Sequence, residues 1–207
     1  MRSDPPSNAS AAPVWREDWL ISARHCPSPN FGLRPTGMQA DLIVVHSISL
    51  PPGVFGGPEI EQLFTNRLDW AAHPYFEQIQ GMEVSSHFLI RRDGELVQFV
   101  GTDARAWHAG ASEWCGRGNC NDFSIGVELE GLEGGVFDEA QYRQLTQLCH
   151  WLAMRHPIRH IAGHEHIAPG RKQDPGPGFD WTHFQQQLGW PSGCFQATPT
   201  DSPTTRG

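Results

Sequence analysis

Apolar positions along the chain fall into a few strand-like and helix-like periods. Asp41-Leu-Ile-Val-Val-His-Ser47 is β-branched and almost continuously apolar, the pattern of a central strand covered on both faces, and it runs into a histidine. Ser124-Ile-Gly-Val-Glu-Leu129 alternates, which puts Ile125, Val127 and Leu129 on one face and Ser124, Gly126 and Glu128 on the other. The segments His87–Arg92 and Glu95–Val100 flank Asp93-Gly94, so they predict a hairpin closed by a two-residue turn. Ile158–Gly163 is a further short strand, leading into His164. Tyr142, Leu145, Leu148, Cys149 and Leu152 recur at helical spacing behind an Asp138/Gln141 capping pair until His156-Pro157 stops the pattern. Shorter helices are predicted from Pro58 to Thr65, with proline in the first turn, and from Trp181 to Leu188 behind an Asp180 cap. Strands interleaved with helices predict an α/β domain.

Composition sets the outer limits. The 207 residues are enough for one well-buried core, and no linker or repeat divides them, so a single domain is expected over residues 14–190. Residues 1–13 and 191–207 are rich in Ser, Pro, Ala and Thr, and are expected to be flexible tails. Fifteen Lys and Arg against 23 Asp and Glu give a formal charge of −8, which argues against nucleic acid as a partner. No run approaches the roughly 18 apolar residues of a membrane span, and the first 13 residues lack the apolar stretch of a secretory signal. Five cysteines without repeated spacing suggest reduced thiols, so a cytoplasmic location is expected, with no membrane partner and no protein partner evident.

The candidate chemistry lies in histidines and carboxylates at strand ends, where α/β domains place their sites. His46 and His164 each close a strand, and the Pro/Gly-dense stretch His164–Pro177 carries Asp174. Two imidazoles and a carboxylate, with a fourth position left for water, make the ligand set of a catalytic metal; a capped turn with an exposed Asp174 suits the same residues. His166, two positions after His164, is an alternative ligand. Lys172 and Asp174 are two apart, so in an extended segment both side chains leave one face while Arg171 leaves the other. Glu128 lies on a strand face with small neighbours, either as a proton-transfer group or as an ordinary strand-end carboxylate like Glu130. Trp107 is either an apolar platform beside polar loop residues or a core side chain.

Val45–Gly57, Arg105-Ala-Trp-His-Ala-Gly110, Cys120–Gly131 and Ile167–Pro177 together, in this order, strongly resemble the zinc N-acetylmuramoyl-L-alanine amidases, in particular those acting on 1,6-anhydro-muramyl peptides. The resemblance spans roughly residues 15–190 and implies the fold that these enzymes share with peptidoglycan recognition proteins, a central mixed β-sheet flanked by helices. It implies that His46, His164 and Asp174 ligate Zn2+, that Glu128 acts on the attacking water, and that Lys172 stabilises charge on the scissile carbonyl oxygen. The implied substrate is an anhydromuramyl peptide, cut at its lactyl–L-alanine amide during peptidoglycan recycling, with Trp107 against the sugar or lactyl face. The sequence departs from the family at Ser47, where Asn is usual, at His166, usually acidic, and at Glu83 and Asn119, where close relatives are expected to carry Arg for the stem-peptide carboxylates. His87 is expected to line the cleft, and His108 fits no role on sequence alone. A non-catalytic peptidoglycan-binding module and an exported amidase acting on polymeric wall are the competing readings.

Overall fold

The computed structural model describes residues 12–195. Twelve strands and five helices occur among them. In chain order the first strands are β1 (Trp15–Arg16), β2 (Trp19–Leu20), β3 (Arg24–His25), β4 (Phe31–Leu33) and β5 (Leu42–Ile48), followed by α1 (Glu59–Phe64) and α2 (Pro74–Gln78). The middle of the chain forms β6 (Phe88–Ile90), β7 (Leu96–Gln98), β8 (Ala104–Ala106), β9 (Glu113–Trp114), β10 (Arg117–Gly118) and β11 (Ser124–Glu130). The last elements are α3 (Glu139–Arg155), β12 (His160–Gly163), α4 (His164–Ile167) and α5 (Trp181–Leu188).

Six strands form the central sheet, in the order β12-β5-β11-β6-β7-β3. Only β6 and β7 pair antiparallel, so the sheet is mixed, and its two longest strands, β5 and β11, lie side by side in the middle. Every residue of β11 is buried, because both faces of the sheet are covered. On one face Ile43, Val45, Ile125, Val127 and Leu129 pack against Leu145, Leu148 and Leu152 of α3 and Phe184 of α5. The opposite face carries two smaller clusters. Leu89, Val97 and Phe99 pack on α1 and α2, whereas Leu42, Val44 and Ala162 pack on Ala109, Phe123 and Ile167. On this face β5 continues to His46 and β11 to Glu128, and the site forms there, between the two clusters.

Local signals explain the helices. Gln141 turns back so that its Oε1 accepts from the Asp138 N–H at 3.0 Å, and α3 stops at Arg155, two residues before Pro157. Asp180 Oδ1 caps α5 by accepting from the His183 N–H at 2.9 Å. The hairpin differs from the expectation in its turn. Ile90 pairs with Leu96, the Arg91 N–H donates to Glu95 and the Gly94 N–H donates back to Arg91, so the loop has three residues, Arg92-Asp93-Gly94. Only Gly94 takes a positive φ, 92°, and its lack of a Cβ allows the bulge that closes such a loop.

The expected domain end at 190 falls too early. Residues 192–194 form a 3-10 turn that delivers Phe195, 4% exposed, into the core against Phe184. An aromatic ring there gains from burial whatever the Pro/Thr content of the residues after it. The remainder of the two expected tails, 1–11 and 196–207, lies outside the described residues.

Candidate active site

Strand register builds the centre of the site. β5 and β11 run parallel with Glu128 opposite His46, and the two-residue period puts both side chains on the same face of the sheet. His164 arrives from the next strand over: β12 pairs with β5 up to Gly163, and the chain turns there into α4, whose first residue is His164. Asp174 comes from the loop after α4. That loop is tied back by the Glu165 N–H, which donates to the Asp174 carbonyl at 2.9 Å.

These elements bring three donor atoms to one point. His46 Nδ1 lies 2.9 Å from His164 Nδ1, and Asp174 Oδ2 lies 3.1 Å from each of them, a nearly equilateral triangle of buried atoms. The Nε2–H of His164 donates to the Ala109 carbonyl at 3.1 Å, so its Nδ1 presents a lone pair to the triangle. Three electron-rich atoms converging this closely repel one another unless a cation sits among them, so the group can hold a metal. Burial, and next the neighbouring His164, push the His46 pKa down to about 4, which keeps the imidazole neutral as a ligand must be. Burial alone would raise the Asp174 carboxyl, but the two imidazoles beside it, His164 first and His46 second, outweigh that and hold the group well below the usual carboxylate range.

The triangle opens into a cleft of about 400 Å³, which Glu128, Lys172 and Trp107 also line. Glu128 is 9% exposed and its Oε2 has no hydrogen-bond partner. Burial first and the Asp174 charge second push its pKa well above the ordinary value, with Lys172 acting in the opposite direction. Lys172 is exposed at the rim on the side of Asp174. Arg171 lies outside that lining, donating from Nε to the Ala111 carbonyl at 3.0 Å and from Nη2 to that of Ala109 at 2.6 Å, with Nη2 also 3.3 Å from the His164 Nε2. Trp107 is half-buried, and its main chain is held by a reciprocal pair of bonds with Ser85 at 3.0 and 3.1 Å. The far wall is apolar, with Leu50, Leu63, Phe64, Ile79 and Val84. A second hollow, of about 570 Å³, sits over Arg24, Glu61, Arg91 and Glu130, whose charges are paired among themselves.

Several expectations change. His87 does not line the cleft: it is fully buried behind it, accepting from the Gly126 N–H at Nδ1 and donating from Nε2 to the Ala104 carbonyl. His166 is no alternative ligand, because it lies on a helix rather than a strand and its Nδ1 accepts from the Gly163 N–H at 2.9 Å. Glu130, two residues from Glu128, is not an ordinary strand-end group. It is buried, and its Oε1 accepts from the Gly56 N–H and from Arg91 while its Oε2 faces the Arg92 N–H, which anchors the loop leading to α1. Glu83 and Asn119 are exposed and outside the residues that line the cleft. His108, which the sequence left without a role, lies against His46 with its Nδ1 2.9 Å from the His46 Nε2.

Residues 36–177 match the protein family described as N-acetylmuramoyl-L-alanine amidase, a span that contains the whole triangle together with Glu128, Lys172 and Trp107. This chain belongs to that amidase family. The 1,6-anhydro-N-acetylmuramyl-L-alanine amidase AmpD of Citrobacter freundii is 54% identical over 171 residues, covering 82% of this chain and 91% of that protein. AmpD of Escherichia coli K12 is 52% identical, covering 82% and 93%. A crystal structure of AmpD superposes on this amidase with a TM-score of 0.83 at 52% identity, over 84% of this chain and 99% of the other. More distantly, AmiD of E. coli, solved with the substrate anhydro-N-acetylmuramic acid-L-Ala-D-gamma-Glu-L-Lys, gives a TM-score of 0.52 at 26% identity over 85% and 65%. No helix among the described residues of the amidase is long and apolar enough to cross a membrane.

Proposed function

We propose that this chain is a zinc-dependent amidase that hydrolyses the lactyl–L-alanine amide of 1,6-anhydro-N-acetylmuramyl peptides, in peptidoglycan recycling in the cytoplasm. The observation that carries the reading is the triangle of His46, His164 and Asp174 donors beside an unpartnered, buried Glu128 in one cleft. Zinc at about 2.0–2.1 Å from each of three tetrahedral donors sets them roughly 3.3–3.4 Å apart, close to the 2.9–3.1 Å edges here. Two His and one carboxylate leave a fourth position free, the pattern of a catalytic rather than a structural zinc. The choice of substrate rests on the relatives at 52–54% identity, whose names specify the anhydromuramyl-L-alanine amide. Five free cysteines suit a reducing compartment.

His46, His164 and Asp174 would hold the zinc, and when bound it supplies a Lewis acid that polarises the amide carbonyl and acidifies water. Glu128 takes a proton from the water that attacks the carbonyl carbon. It then returns that proton to the alanine nitrogen as the C–N bond breaks, leaving a lactyl carboxylic acid and a free peptide amine. The raised pKa of Glu128 suits the first half of this transfer, since it makes the carboxylate a stronger base toward the attacking water. Lys172 places its ammonium over the carbonyl oxygen as that oxygen becomes negative. Trp107 offers its ring to the sugar or lactyl face, and the apolar wall opposite displaces water from the bound group.

Product analysis of a 1,6-anhydro-N-acetylmuramyl tripeptide tests the assignment. The expected products are free 1,6-anhydro-N-acetylmuramic acid and a peptide beginning at L-alanine, separated and weighed by mass spectrometry. Binding without cleavage would favour a recognition module. Release of peptide only from polymeric wall would favour an exported enzyme.

A further inference from the structure

His108 lies in a slot made for its ring. A Cβ at Gly126, the residue of β11 beneath it, would meet the imidazole Cγ at 2.5 Å, so only glycine at that position lets the ring lie across the strand. The main chain is fixed as well. Asn121 Oδ1 accepts from the N–H groups of both His108, at 3.1 Å, and Ala109, at 2.8 Å.

The hydrogen bonds running from this ring have a direction that can be worked out from one end. The Cys120 carbonyl can only accept, so the Ser124 hydroxyl, 2.6 Å away, donates to it. Ser124 Oγ is then an acceptor toward His108 Nε2 at 3.2 Å, which must carry the ring proton. A neutral His108 therefore has its lone pair at Nδ1, and the His46 Nε2–H donates to it at 2.9 Å. The last link leaves the His46 lone pair at Nδ1, the atom that faces His164 and Asp174. One backbone carbonyl, outside the cleft, thus sets the tautomer of a side chain three links away. The next residue does the same for the other histidine, because the Ala109 carbonyl accepts the His164 Nε2–H.

We propose that His108 is a positioning residue: seated on Gly126 and anchored through Ser124 to the Cys120 carbonyl, it fixes the tautomer and ring angle of His46, and so presets Nδ1 to receive a divalent metal cation. The proposal rests on the metal reading of the triangle, and its first test needs no metal. In metal-free protein labelled with 15N at histidine, the His46 ring is expected to be the Nε2–H tautomer, with a scalar coupling across the bond to His108 Nδ1. A mixed or Nδ1–H tautomer overturns the proposal, while leaving the metal reading to be decided by zinc binding alone.

Variants supply the second test, by competition for zinc with a chromophoric chelator. His108→Leu keeps volume but removes the acceptor, and is expected to weaken zinc binding by about 10–100-fold, the usual cost of losing a partner of a metal-bound histidine. His108→Asn places Oδ1 where Nδ1 was and should restore most of that loss. Gly126→Ala, which displaces the ring while leaving every polar group in place, should weaken zinc as His108→Leu does. Zinc affinity within twofold of the parent in His108→Leu overturns the proposal. So does an equal loss in His108→Leu and His108→Asn, which would mean that packing rather than the hydrogen bond matters.

Discussion

Replacing Glu128 by Gln is expected to slow amide hydrolysis on the order of 10²–10⁴-fold while the protein keeps its zinc, since the change removes a proton-transfer group and none of the three converging donors. The side chain sits opposite His46 in register, but it is not part of the triangle, and its Oε2 has no partner whose loss would disturb the fold. Gln has nearly the same shape and is neutral, so the variant also relieves a buried carboxyl that its surroundings push toward the protonated form. Thermal stability should therefore hold or rise. Single-turnover rates and metal content, measured on the same sample, decide the matter. Loss of zinc in the variant would make Glu128 a ligand, and an unchanged rate would remove it from the chemistry.

Lys172 carries the second large effect. Removing a donor from the oxygen that gains charge costs on the order of 10²–10³ in kcat, so Lys172→Ala should lower kcat by that factor with little change in zinc affinity. The neighbouring Arg171 has a different task. It bonds the carbonyls of Ala109 and Ala111 and lies outside the cleft lining, and Ala109 is the residue that receives the His164 Nε2–H. Arg171→Ala should therefore act through the site's frame, weakening zinc binding more than it slows turnover at saturating zinc. Measuring kcat and zinc affinity for both variants separates the two roles, and a larger kcat loss in Arg171→Ala at saturating zinc would reverse them.

Much of this was legible in the sequence because local chemistry agreed with the final fold. The β-branched run before His46, the alternation around Glu128, and the capping signals at Asp138 and Asp180 each foretold the element that forms there. What periodicity could not supply was register between strands far apart in the chain. That Glu128 faces His46 follows from the parallel pairing of β5 with β11 across 82 residues, and no spacing within either strand encodes it. The same limit hid His108. Its partners His46 and Ser124 are 62 and 16 positions away, and the sign that a ring must lie on β11 is a missing Cβ at Gly126, which looks in sequence like any small strand residue. His87 was misplaced for a related reason: its nitrogens serve the Gly126 N–H and the Ala104 carbonyl, bonds that only a packed sheet creates. Glu130 shows the limit of two-residue parity. It shares a face with Glu128, yet the Gly56 and Arg91 groups that cover it come from the loop before α1 and from the hairpin connection after β6, whose approach the alternation does not report.

In the proposed function, three residues from β5, α4 and the following loop hold one zinc ion that the amide hydrolysis requires. Titrating zinc into chelator-stripped protein, while following release of L-alanyl peptide from a 1,6-anhydro-N-acetylmuramyl peptide, measures this directly. No turnover is expected without metal, then a linear rise in rate and a sharp break at one equivalent. Full turnover in protein shown to be free of metal, or a rate that does not respond to added zinc, would contradict it.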